Sequence, residues 1–176
     1  YENYMAEFEN YPYEARFPRA YYYFELMRRY KEVPIITEVL NEKDANTLTR
    51  NSLDEVVEFI VSECEVAQAN LPVSFEKEVS QEVGRATKGA AMALKARAAL
   101  FEGTFRKYHA GTAFVPQDAE TYDGVTISSE WFLNEAVKAA ETVMGKKGLY
   151  TGNTMGIAGK AANASYREFF VLEDAD

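Results

Sequence analysis

Apolar residues recur at three- and four-residue spacing in several stretches of this chain, the period of helices that bury one face. Phe17, Ala20, Tyr21, Phe24 and Met27 make the first such face. Arg28 and Arg29 follow where they favour a helix C-terminus, and Pro34 forbids continuation, which predicts a helix near 14–30. Leu53, Val57, Ile60, Cys64, Ala67 and Leu71 make the second, near 52–70. Ser52 and Glu55 stand there in the S-x-x-E pattern, in which each side chain caps the other's backbone N–H. A fourth helix is predicted near 130–145, with Leu133, Ala136, Val137, Ala140, Val143 and Met144 inward and Gly145 and Gly148 as its stop.

The densest stretch, Gly84 to Phe105, predicts the central packing helix over 86–102, capped by Thr87 and stopped by Gly103. Ala91, Leu94, Ala98 and Phe101 line one flank and Gly89, Ala93, Ala96 and Leu100 the other, so the helix is expected to be covered on both sides. Lys88, Lys95 and Glu102 share a narrow polar stripe. Arg97 falls opposite that stripe, among Ala90, Ala93 and Phe101, and a buried guanidinium needs carbonyls at a helix end or a carboxylate from a neighbouring helix, for which Glu25 and Glu63 are the candidates. On this reading Arg97→Ala destabilises severely and Lys95→Ala does not.

Elsewhere the period fades. Tyr1 to Tyr13 mixes aromatics with acids and reads as a docked segment or partial helix, while Val33 to Val39 reads as an extended crossing. The polar link Val73–Val83 joins the second and third helices into an antiparallel hairpin. Residues 104–129 read as a long loop. Thr151–Ala164 is glycine-rich but has no Walker ending, so it reads as a surface loop, and Tyr166–Val171 is apolar again.

GRATKGAAMALKARAALF at Gly84 to Phe101, ARFPRAYYYFELMRRYKEVPIIT at Ala15 to Thr37 and RNSLDEVVEFIVSECEVAQANLP at Arg50 to Pro72 together resemble the SusD/RagB family of surface-exposed glycan-binding lipoproteins of Bacteroidetes. SYREFFV at Ser165–Val171 is a weaker similarity, and Pro18 stands where the family pattern has leucine. The resemblance implies an all-α, tetratricopeptide-like α-α superhelix with long loops. It also implies one domain over 1–176 that is a piece of a larger protein, with the signal and lipidation site outside this chain. The implied function is non-enzymatic: capture of an oligosaccharide or other nutrient at the outer membrane, and delivery to a SusC-like TonB-dependent transporter. A helical scaffold that binds a protein partner, with no sugar site of its own, is the alternative.

Composition narrows the chemistry. At 176 residues with 47% hydrophobic positions the chain can bury a core, and a net charge of −9 argues against nucleic acid or an anionic membrane as partner. Cys64 falls on an apolar helix face and reads as a packed thiol, and His109 as a solvated loop residue with no nucleophile context. Asp118, Glu120 and Asp123 fail the calcium-loop spacing, since glycine and glutamate are missing where such a loop needs them. No metal, cofactor or catalytic group is assigned. Ligand contacts are expected from the 104–129 loop and its edge, with Tyr122 and Trp131 as the candidates, although Trp131 in a first helical turn reads first as a packing residue that staples the helix.

Overall fold

The computed structural model describes residues 2–41, 43, 46–75, 84–122 and 125–145. The Thr151–Ala164 and Tyr166–Val171 stretches, Asp123, Gly124 and most of the 73–83 link lie outside them. Residues through Val143 form one compact unit, and it is built of helices with a small antiparallel hairpin.

Helix α1 spans Glu2–Tyr30, longer than its periodicity predicts, with Pro12 and Pro18 both inside it. Each proline removes one helical N–H and crowds the preceding turn at about 3 kcal/mol, so local propensity argues for a later start. Packing overrides it. Ala20, Phe24 and Met27 are almost fully buried, Phe17 packs beside them, and this face continues through the turns around the prolines. The helix ends at Lys31, whose φ of 64° is left-handed and whose N–H reaches the Met27 carbonyl at 2.9 Å. The following crossing is held from both sides. Tyr23 Oη accepts the Ile36 N–H at 2.7 Å, and Asn51 Oδ1 accepts that of Ile35 at 2.9 Å.

Helix α2, Leu53–Asn70, starts as its sequence predicts. Ser52 Oγ accepts the Glu55 N–H at 3.3 Å, and Glu55 returns a carboxylate to the Ser52 N–H at 2.8 Å. Leu53, Val56, Val57, Ile60, Glu63, Cys64 and Ala67 are all buried, a band too wide for one interface. It serves two. The α1 side is marked by Arg16 and Arg19 on Glu63 and by Tyr23 edge-on to Phe59 at 5.0 Å. The side facing the next helix, α3 (Lys88–His109), is marked by an ion pair from Asp54 to Arg106 and by the Lys88 N–H on the Pro72 carbonyl. Neighbouring helices therefore run antiparallel, and α2 lies between the other two. The expectation that the alanine-rich helix is central is corrected.

Helix α3 is Lys88–His109, with Thr87 as the predicted N-cap. It passes through Gly103 and stops before Gly111, whose φ of 86° is the left-handed conformation glycine favours. Gly103 is there for a close approach. A Cβ on it would sit 2.8 Å from Leu133 Cγ and 3.1 Å from the Leu133 backbone nitrogen, in helix α4, Ser129–Met144. Gly103→Ala is accordingly expected to lower stability by about 1–3 kcal/mol by pushing α4 away. Urea unfolding checks it, and an unchanged midpoint would show that Leu133 yields freely.

One face of α3 is buried, along Ala91, Leu94, Ala98, Glu102 and Arg106, and the flank through Ala93 and Leu100 is exposed. Arg97 lies on that exposed side with its guanidinium 5.8 Å from the Phe24 ring. Glu63 is taken by Arg16 and Arg19, and Glu25 by Arg28 and Arg29, so neither answers Arg97. Lys95 is the more buried cation, with 12% side-chain exposure, and it bridges Glu65 and Glu135. The predicted ranking of Arg97 over Lys95 is thus reversed. In α4 the inward residues are Phe132, Ala136 and Ala139, while Val137 and Met144 are exposed, a rotation away from the predicted face.

Candidate functional site

The supposed loop of 104–129 is half regular structure: the last turns of α3, a β-hairpin and the start of α4. After α3 ends, strand β1, Glu120–Tyr122, pairs antiparallel with β2, Val125–Ile127, and α4 begins two residues later. Tyr122 is opposite Val125 at the tip of this hairpin, and its side chain lies outside the described residues. The Asp123-Gly124 pair between those two strand ends is a sequence signal for a two-residue hairpin turn, and it was available beforehand.

Asp118 fastens the hairpin to α4. Its carboxylate accepts the Ser129 N–H at 3.0 Å and the Ser129 hydroxyl at 2.8 Å, and its carbonyl accepts Arg106 Nη1 at 2.8 Å. The side chain considered for calcium is therefore structural, and among the described residues no three metal-ligating side chains come together. Ser128 Oγ accepts the Trp131 N–H at 3.2 Å, capping the first turn that carries the indole.

Against this corner the first turns of α2 leave a cleft of about 720 Å³. Helix α2 and the residue before it line it with Ser52, Asp54, Glu55, Glu58 and Val61, and the hairpin and α4 with Val125, Ile127, Trp131 and Phe132. Trp131 is half-buried and meets Phe132 edge-on at 5.0 Å, which fixes the ring. The lining carboxylates differ in what they already hold. Asp54 is engaged by Arg106, and Glu55 by Ser52, whose backbone N–H and hydroxyl hold its carboxyl below the usual range. Glu58 is exposed and has no polar partner among the described residues.

Next to the cleft is a buried charge cluster that the sequence reading missed. Arg106 is 1% exposed and Glu102 0%. Arg106 Nε lies 3.2 Å from Glu102 Oε1, yet neither carboxylate oxygen of Glu102 makes an aligned hydrogen bond. Proximity without alignment leaves desolvation in charge. Burial pushes the Glu102 carboxyl up to about 7, against the opposing pull of Arg106. Lys31 stands over the Phe105 and Phe101 rings at 4.0 and 5.1 Å, and burial lowers its pKa.

Trp131 is thus gathered with three acids, whereas Tyr108, His109 and Phe114 point to solvent along the way to the hairpin. His109 ends α3, with its ring stacked on Phe105 at 4.1 Å. Cys64 is fully buried and burial pushes its thiol up to about 12, so it is a packed thiol and no nucleophile.

A three-helix antiparallel layer with a hairpin and a fourth helix at one end is the geometry of helical-hairpin array proteins. Comparison with known families makes this specific: the SusD-like family model described as "Starch-binding associating with outer membrane" matches residues 3–100, and the chain belongs to that family. No protein with a curated description matches it. Among solved structures, it is similar to a SusD-like carbohydrate-binding protein of Bacteroides fragilis, with 27% identity, a TM-score of 0.57, and coverage of 78% of this chain and 21% of that one. A second SusD-like protein of that species gives 28% identity, a TM-score of 0.56, and coverage of 79% and 22%. A SusD homolog of Bacteroides thetaiotaomicron, at 24% identity with a TM-score of 0.55, covers 78% of this chain and 22% of its own, and supports the fold. The chain spans about a fifth of the length of these structures. The all-α, tetratricopeptide-like fold is that of the family.

Proposed function

We propose that this chain is the helical part of a non-enzymatic glycan-binding lipoprotein of the outer-membrane surface, which captures oligosaccharides and passes them to a SusC-like TonB-dependent transporter. The match of residues 3–100 to a starch-binding family carries the reading. The cleft beside Trp131 supports it, since a ring face set among carboxylates suits a sugar, whose C–H face stacks and whose hydroxyls donate. Tyr122 stays a contact candidate through its place at the hairpin tip. Among the described residues no helix is long and apolar enough to cross a membrane, and in this reading attachment comes from a lipid anchor.

Calorimetric titration of the full chain with a panel of oligosaccharides is expected to show selective binding. Affinity purification from outer membranes is expected to bring down a TonB-dependent transporter. A chain that binds no sugar, while retaining a protein partner, would instead be a scaffold.

A further inference from the structure

The structure assigns the cleft between the first turns of α2 and the hairpin–α4 corner as a subsite for an uncharged sugar residue, with Trp131 as the stacking face and Glu58 as the hydroxyl acceptor, closed to uronate- or sulfate-bearing glycans. This rests on the glycan-binding reading above and deepens it.

Charge decides the class of ligand. A helix N-terminus ordinarily attracts anions through its free N–H groups and its dipole. At α2 that attraction is already spent, because Ser52 Oγ holds the Glu55 N–H and Asp54, Glu55 and Glu58 crowd the first two turns. Among the described residues no lysine or arginine lines the cleft. Arg106 is close behind Asp54 but is 1% exposed and turned into the cluster, where Asp54 and the Asp118 carbonyl hold it. An incoming carboxylate or sulfate would meet like charges with no counter-cation. Hydroxyl groups meet the opposite situation, since the unengaged Glu58 carboxylate only accepts.

The lining agrees. The cleft of about 720 Å³ is lined by an indole, a phenylalanine, an isoleucine and two valines together with three acids. A pyranose suits both kinds of surface, with axial C–H groups on one face and equatorial hydroxyls around the edge. Ser128 caps the turn that carries Trp131, and the indole packs edge-on against Phe132. A ring already packed loses little entropy on binding.

The test uses the full chain and calorimetry with maltohexaose, cellohexaose and mannohexaose, each set against an oligogalacturonate of equal length. At least one neutral sugar is expected to bind and the oligogalacturonate to bind at least tenfold more weakly. Trp131→Ala is expected to weaken the neutral sugar by about tenfold, as truncation of an aromatic anchor does. Because Trp131 is half-buried, Glu58→Arg provides the second arm. Glu58 is exposed and unpaired, so the fold is left intact, and the new guanidinium is expected to raise oligogalacturonate affinity by about tenfold. Neutral binding that is unchanged in both variants would place the sugar elsewhere and overturn the subsite while leaving the glycan-binding reading in place. Preference of the unaltered chain for oligogalacturonate would also overturn it. A chain that binds none of these sugars sinks both.

Discussion

Arg106→Met is expected to cost about 3–5 kcal/mol of folding stability, the range for removing one partner from a buried charge group. The guanidinium is 1% exposed and ties three elements together, reaching Asp54 at the start of α2, Glu102 one turn back on α3 and the Asp118 carbonyl beside the hairpin. Methionine fills the volume and removes the charge. Asp54 and Glu102 then lose the guanidinium between them, with only Lys31 still acting on Glu102, and Asp118 loses the donor that holds its backbone against α3. Arg106→Lys is expected to recover only part of the loss, because one ammonium does not span the directions of the guanidinium fork. Urea unfolding at neutral pH measures both. A loss below about 1 kcal/mol for Arg106→Met would mean that water already reaches the cluster, as at exposed pairs.

Glu102→Gln is expected to act in the opposite direction, raising stability at alkaline pH. Burial holds the folded Glu102 carboxyl at about 7, above the ordinary 4.5, with Arg106 and Lys31 opposing the shift and Asp54 adding to it. A raised folded pKa means that the native state binds the proton more tightly than the unfolded chain. The resulting stability is therefore full below about pH 4.5 and is lost as pH rises through about 7. Over that window the change is on the order of 3 kcal/mol. Glutamine remains neutral throughout. The variant should gain about that much at pH 8 and show a flat profile where the unaltered chain slopes downward. Parallel slopes in the two proteins would assign the pH dependence to another group. In the double variant with Arg106→Met, part of the Arg106 loss should return, because one of the two stranded carboxylates is gone.

The helices were legible wherever a local signal agreed with packing. Ser52 and Glu55 announced the start of α2, and Thr87 that of α3, because a capping side chain acts within three residues of itself. Misreadings came where local and tertiary effects compete. Pro12 and Pro18 argue against a helix by themselves, and only the apolar face through Phe17, Ala20 and Phe24 outweighs them. Gly103 has the same letter whether it ends a helix or admits a neighbour, and Leu133 decides which. The alanine-rich sequence of α3 offers two nearly equal apolar faces, so its rotation could not be chosen without α2 and α4. That single ambiguity placed Arg97 inside and left Glu102 on a polar stripe, when Glu102 and Arg106 are the buried pair. At the candidate site, Trp131 was legible as a lone indole at a helix start. The acids that line the cleft with it are on α2, and nothing in the chain announces that α2 and the hairpin meet.

The placement of α2 between α1 and α3 also has a mechanical meaning. The outer two helices touch each other little, so a pull on one reaches the other chiefly through the helix between them. Its fastenings are spread along its length: Asp54 to Arg106 near one end on one side, and Glu63 to Arg16 and Arg19 more than two turns away on the other. Force applied across the layer becomes shear along α2, shared between the two ion groups and the apolar contacts at Val57 and Ile60, instead of opening one seam at a time. A cleft lined by the first turns of that same helix is therefore carried by the element that both outer helices clasp, and a ligand tugged from outside would pull on both of its fastenings.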